Sequence, residues 1–192
     1  MKLPERVTIC EVGTRDGFQI EPEFISTADK IDVVNRLAAA GLPRIEVTSF
    51  VSPKAIPQLR DAAEVMAAIT RRPGTTYSAL VPNDKGAVRA VDARVDEIHT
   101  VVSASESHNL ANVNMTIAES LAVFAPVVSK ALAAGLSVRG YVSTSFVCPD
   151  EGDIAKEKVL GVSQRLLDMG VDEVAISDTI GVAHPGQIPQ VL

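Results

Sequence analysis

The sequence predicts an α/β fold of the (β/α)8 TIM-barrel type, with about six of the eight βα units present as a single domain over residues 1–192. Three observations carry this expectation. Helical and strand-like patterns alternate along the chain, which implies βα units around a parallel sheet. A structural phrase repeats at residues 37–47, 132–142 and 167–176: a helix end, a glycine (Gly41, Gly135, Gly170) and a short β-branched run. Nearly every strand is followed by polar residues, as suits a barrel that gathers its strand ends at one mouth. An open doubly wound sheet would concentrate them at its switch point.

The elements follow in order. A first strand is expected at 7–12. Ser26 or Thr27 then caps a helix running to about residue 40, and Ser26-x-x-Asp29 approximates a capping box. A strand at 45–48 precedes a helix at 57–70, a strand at 76–81 precedes a helix at 84–93, and a fourth strand covers 97–102. Thr116-x-x-Glu119 is a full capping box and opens a helix to about residue 134. A strand at 138–143, a helix at 153–169 and a strand at 173–177 complete six strands and five helices. Pro185 marks the start of a sixth helix, at the first-turn position proline prefers.

Composition narrows the function. Hydrophobic residues make up 46% and charged residues 22%, which excludes a disordered chain. Aromatics are only 4% with no Trp, so Ala, Val, Leu and Ile must build the core. A net charge of −6 argues against nucleic acid as a partner but leaves room for anionic small substrates held by one or two arginines. No apolar stretch approaches the ~20 residues of a membrane span, and the N-terminal residues carry no signal-peptide pattern, so a cytoplasmic location is expected. Cys10 and Cys148 form no C-x-x-C pair and are expected to be reduced thiols. There is no G-x-G-x-x-G after the first strand and no phosphate-binding loop motif, so nucleotide folds lose support.

Several residues could do chemistry. Arg15 and Asp16 follow the first strand between Gly13 and Gly17, which let the backbone turn sharply. Asp is a hard oxygen ligand for Mg²⁺ or Mn²⁺, and an adjacent Arg can hold a carboxylate or a developing enolate; an ordinary turn ion pair is the alternative. Glu46 interrupts an apolar strand, where a carboxylate is costly unless paired, and Arg15 on the neighbouring strand is its natural partner. Asp178, at the end of the sixth strand, suits a base, a supporting carboxylate or a cap of the next turn. His99 lies mid-strand and reads as a satisfied core histidine. His108 sits on a polar stretch at the mouth and is a candidate for substrate contact; His184, before Pro185, reads as a helix cap. Cys148 reads as a structural thiol, because no base partner is evident.

Four collinear motifs, at 11–19, 45–54, 139–143 and 177–181, closely resemble the hydroxymethylglutaryl-CoA lyase family of DRE-TIM metallolyases. The resemblance runs from about residue 5 to the end. It implies a divalent-metal-dependent (Mg²⁺ or Mn²⁺) retro-aldol, Claisen-type cleavage of an acyl-CoA partner, 3-hydroxy-3-methylglutaryl-CoA, to acetyl-CoA and acetoacetate, as in leucine degradation and ketone-body formation. It further implies a homodimer when complete. Residue by residue, Asp16 matches the metal ligand, Arg15 the arginine that stabilises the enolate, and Glu46 the glutamate that positions it. Asp178 matches a carboxylate of the proton relay, and Gln19, Tyr141 and Thr179 match substrate-pocket positions. Thr14, Phe18 and Ile20 depart from the family's G-P-R-D-G-L-Q-N motif, which leaves a related acyl-CoA or 2-oxoacid metallolyase or aldolase as the alternative substrate class. The family's His-x-His metal pair, its Asn ligand and its catalytic Cys loop have no counterpart in these 192 residues. The resemblance therefore implies a partial barrel. The isolated chain is expected to be inactive, or to act as a non-catalytic partial barrel completed by another chain.

Overall fold

The computed structural model describes residues 4–191. Its centre is a curled sheet of six parallel strands in the order β1-β2-β3-β4-β5-β8, the half-barrel that strict βα alternation implies. The strands are β1 (Cys10–Glu11), β2 (Arg44–Ser49), β3 (Thr76–Leu80), β4 (Glu97–Ser103), β5 (Ser137–Ser143) and β8 (Glu173–Ile176). Between β5 and β8 lies a small antiparallel pair, β6 (Val147–Cys148) and β7 (Gly152–Asp153). The helices are α1 (Thr27–Ala39), α2 (Ala62–Ala68), α3 (Asp84–Asp92), α4 (Glu106–Val113), α5 (Ile117–Ala133), α6 (Lys156–Asp168) and α7 (Ile188–Val191). No single helix among the described residues is long and apolar enough to cross a membrane.

Alternate residues of each strand point to opposite faces. On the helix side, Ile45, Val47, Ile98, Val102, Val138 and Val142 join Val34 of α1, Leu121 and Val128 of α5 and Leu166 of α6 in one buried apolar cluster. Gly140 of β5 lets α6 approach closely, because a Cβ there would come within 2.9 Å of the Leu166 side chain. The repeated phrase does its expected work: Gly41, Gly135 and Gly170 take φ values of 85°, 78° and 95°, the left-handed turn that ends a helix and turns the chain into the next strand.

The helix starts follow their caps. Ser26 accepts the Asp29 N–H ahead of α1, and Thr116 and Glu119 form the reciprocal capping box of α5. Five boundaries differ from expectation. β1 pairs only at Cys10–Glu11, leaving Val7 79% and Ile9 59% exposed, because this edge of the sheet has β2 as its one neighbour. The 57–70 helix is split into a 3-10 turn at Pro57–Leu59 and α2. α4 is an additional helix in a polar stretch expected to be loop; Ser105 caps it by accepting the His108 N–H, and Asn114 ends it at φ 54°. α6 begins at Lys156 because Gly152 and Asp153 pair with Cys148 and Val147. Residues 185–187 form a turn, so the last helix starts at Ile188.

Candidate active site

The turn after β1 is built to present Arg15. Residues Gly13–Gly17 form one wide π-type turn in which the Val12 carbonyl accepts the N–H groups of both Arg15 (3.0 Å) and Asp16 (2.7 Å). The Glu11 carboxylate accepts the Gly13 N–H at 2.7 Å, in space that a Cβ at Gly13 would occupy. Thr14 donates from its hydroxyl to the Glu46 carbonyl at 3.0 Å, tying the turn to β2. A proline at this position could not make that bond.

Arg15 then reaches Glu46, as its pairing across adjacent strands predicts. Its Nε donates to Glu46 Oε1 at 2.5 Å and its Nη1 to Asp16 Oδ1 at 2.6 Å. Glu46 is 0% exposed, and an irregularity in the β2–β3 pairing directly follows it. Such bulges re-aim side chains beside functional sites. Its other oxygen, Oε2, is 2.8 Å from His99 Nδ1 and accepts the Tyr141 hydroxyl at 3.1 Å. Tyr141 also sets its ring edge-on to His99, with centroids 5.1 Å apart.

Below this lies a second layer of charge. His99 Nε2 is 2.8 Å from Glu97 Oε1, and Arg44 reaches both Glu97 (3.4 Å) and Glu173 (3.0 Å). Arg139 closes the series on Glu173 at 2.6 Å. From Asp16 to Arg139 the signs alternate through eight side chains on five segments of the fold. His99 must be cationic for this to hold. Both ring nitrogens face carboxylates, whereas a neutral imidazole carries one N–H. Burial pushes its pKa down, but the hydrogen bonds to Glu46 and Glu97 outweigh that and raise it to about 9. For Glu46, burial pushes the pKa up; the His99 hydrogen bond and the Arg15 charge overcome this and hold it below the usual carboxylate range. Burial raises the Cys10 thiol to about 11 and also raises the Tyr141 hydroxyl, so both are neutral near pH 7.

Arg15 pairs with Glu46 as the sequence suggested, Asp16 and Tyr141 lie against that pair, and His99 joins them. His99 is satisfied, as the sequence suggested, yet its partner is the central carboxylate of the site. The signal available for it was the two-residue spacing of Glu97 and His99, which puts both on the face that carries Glu46. The other candidates make no hydrogen bond or ion pair to this cluster among the described residues. Gln19 is half-buried beside the turn. Asp178 takes the capping alternative: its two oxygens accept the N–H groups of Val182 (3.2 Å) and Ala183 (2.8 Å). Thr179 accepts the Thr144 N–H at 2.7 Å, joining the loops after β5 and β8. His108 lies in the first turn of α4 with its Nδ1 buried and unpartnered. His184 serves its turn through backbone groups rather than as a helix cap. Cys148 is buried; burial raises its pKa, but the Ser105 hydroxyl and nearby backbone N–H groups more than offset this and lower it.

As a metal site the donor set is thin. Asp16 is 62% exposed and already shares one oxygen with Arg15. Among the described residues no group of three His, Cys, Asp or Glu side chains could hold a metal ion. One carboxylate does not hold a divalent cation against water, so the residues described here do not by themselves fit a resident metal.

Parallel βα units, with a charged cluster running from the turn after β1 across the inner face of the sheet, define a domain of the TIM-barrel type. The HMGL-like family model matches residues 6–192, and the chain belongs to that family. It is 47% identical to a hydroxymethylglutaryl-CoA lyase of Bacillus subtilis over 100% of this chain and 64% of that protein. It is also 47% identical to a 3-hydroxy-3-isohexenylglutaryl-CoA/hydroxymethylglutaryl-CoA lyase of Pseudomonas aeruginosa, over 97% of this chain and 62% of that protein. The B. subtilis crystal structure superposes with a TM-score of 0.96 over 100% of this chain and 64% of its own. A lyase from Acinetobacter baumannii in complex with coenzyme A and 3-methylmalate superposes at 0.91, with 44% identity over 96% of this chain and 60% of its own. The chain thus spans less than two thirds of the length of these relatives.

Proposed function

We propose that this chain supplies the substrate-facing charged cluster of a carbon–carbon lyase that cleaves 3-hydroxy-3-methylglutaryl-CoA to acetyl-CoA and acetoacetate. The observation that carries this reading is Arg15, a guanidinium held at the strand ends by a fully buried Glu46, in a chain so similar to lyases of that substrate. In the reaction a base takes the 3-hydroxyl proton and the C2–C3 bond breaks. The ketone of acetoacetate forms, and the electron pair passes to the thioester as an enolate that is then protonated. Arg15 is the group that meets the developing negative charge, pre-oriented by Glu46 so that little reorganisation is needed. Tyr141 and Gln19 line the acyl group, and Thr179 orders the loop beside it. Asp178 accepts one N–H on each oxygen, from Val182 and Ala183, and keeps a free lone pair on each for a proton relay.

Divalent-metal dependence, with Mg²⁺ or Mn²⁺, belongs to the same proposal. Asp16 is the residue that the resemblance matches to a metal ligand, and no group of three His, Cys, Asp or Glu among the described residues completes a site around it. A dimeric state and a cytoplasmic location complete the reading, the latter supported by the unpaired thiols Cys10 and Cys148. A longer 3-alkyl acyl-CoA is the second reading. It is favoured by Ile20, an apolar side chain 81% exposed beside the Arg15 turn.

The test is acetoacetate release from 3-hydroxy-3-methylglutaryl-CoA by the full-length polypeptide with added Mg²⁺ or Mn²⁺. Arg15→Gln is expected to lower kcat roughly 10²- to 10³-fold. Full activity in that variant, or no cleavage by the parent enzyme, overturns the proposal.

A further inference from the structure

We propose that His99 is a positioning residue for this site: a buried cation that fixes Glu46 from beneath and so sets the orientation of Arg15. The inference rests on the reading of Arg15 as the substrate-facing group. Both oxygens of Glu46 are engaged: Oε1 takes Arg15, while Oε2 takes His99 and Tyr141. His99 has no freedom to turn. Its two nitrogens are 2.8 Å from carboxylates on two strands, and Tyr141 packs edge-on against its ring.

The charges surrounding the imidazole explain why a neutral residue would not serve. Glu46 faces it from β2, Glu97 from its own strand, and Tyr141 from β5. Cys10 of β1, whose thiol is near Glu46, Glu97 and Arg139, is neutral. Of the nearby cations, Arg44 reaches Glu97 at 3.4 Å and Glu173 at 3.0 Å, and Arg139 reaches Glu173 at 2.6 Å. Without charge on His99, Glu46 and Glu97 face each other across the ring with cations only on their far sides, Arg15 and Arg44, and their mutual repulsion favours protonation. Glu46 would then take a proton over part of the working pH range and lose its hold on Arg15. Arg15 would fall back on the exposed carboxylate of Asp16. His99 thus acts on the reaction through Glu46 without touching substrate, much as partners behind a metal ligand tune it.

The experiment compares the full-length protein with His99→Gln, which keeps a side-chain donor but removes the charge. Two readouts are taken: the pH profile of kcat/KM, and ¹⁵N NMR of the histidine ring nitrogens and of the Arg15 Nε–H. In the parent protein one histidine should remain doubly protonated at pH 8, and its signals should vanish in H99Q. H99Q should lower kcat/KM roughly 10- to 100-fold, move the acid limb of the profile upward and abolish the downfield Arg15 Nε–H signal. If H99Q does not fold, Glu97→Gln replaces it; the alkaline limb is then expected to move down, because His99 loses one of its two carboxylates. A neutral His99 at pH 7 in the parent protein, or a folded H99Q with unchanged pH profile and Arg15 signal, overturns the proposal. The NMR readouts need no turnover. A parent enzyme without lyase activity but with a doubly protonated His99 coupled to Arg15 would sink the substrate assignment and leave the positioning role standing.

Discussion

The two faces of the β-sheet come from alternate residues of the same strands, yet they are held together by opposite means. The helix side is an apolar cluster in which Ile98, Val102, Val138 and Val142 meet α5 and α6. The axis side, drawn from the intervening positions, is a chain of alternating charge through Glu46, His99, Glu97, Arg44, Glu173 and Arg139. Contacts on the first face are non-directional, and their strength follows the area removed from water. Those on the second are directional and interdependent: each buried charge is tolerable only while its neighbours are present. A side chain can therefore be trimmed on the helix face at local cost, whereas loss of an interior charge of the series, such as Glu46 or His99, takes a partner from the groups on either side of it.

That difference can be broken deliberately. Glu46→Leu should have the largest effect, about 3–5 kcal/mol of lost stability, because it leaves His99 and Arg15 without their shared anion. Urea unfolding of the full-length protein checks it, and a loss below about 1 kcal/mol would mean that the network relaxes freely. Leu166→Ala, on the helix face, should cost about 3 kcal/mol and leave the His99 ring signals unmoved.

Changing pH separates the faces without mutation. The folded pKa of His99, about 9, lies above its ordinary 6.5, so its contribution is complete below pH 6.5 and fades as pH rises through 9. Glu46 behaves in the opposite sense: its contribution is complete above its ordinary 4.5 and is lost as pH falls below that. The axis face should therefore be strongest between these limits. Unfolding midpoints should decline from pH 6 to pH 9.5 by an amount corresponding to roughly 3 kcal/mol, and His99→Gln should flatten that decline. The smallest effect concerns neither face. Thr116→Ala removes the cap of α5 and should cost about 1 kcal/mol, read as a small shift in midpoint with the pH dependence retained.

The two faces also differed in how far the sequence disclosed them. Apolar periodicity, the capping box at Thr116 and Glu119, and the glycines at 41, 135 and 170 gave the βα order and most helix limits, because those signals are local. The same local signals missed α4. Its Glu106–Val113 stretch is polar and is ordered by a single serine cap, with Asn109 binding the Ser103 N–H at one end and Ser120 on α5 at the other. The β6–β7 pair was missed because two-residue strands carry no periodicity. On the axis face the Arg15–Glu46 pair was legible, since each was an anomaly in its own segment and the segments were adjacent strands. His99 looked satisfied, but nothing local named its partner, which lies 53 residues away. Asp178 offered several roles of equal local merit, and the turn it caps through the Val182 and Ala183 N–H groups carried no local signal that singled it out.

The Arg44–Glu173 pair has a consequence for assembly. It joins β2 to β8, which are separated in the sheet by three intervening strands and in the chain by 129 residues. Geometrically it is a chord across an arch: backbone hydrogen bonds fix each strand to its neighbour, while the chord fixes how tightly the whole row curls. Such a tie cannot form until β8 has docked. The final radius of the arch is thus expected to be set late in folding, by a contact of the high sequence separation that slows folding. A shorter reach at residue 44, as in Arg44→Lys, would then act on the curl of the arch while leaving its strand order intact.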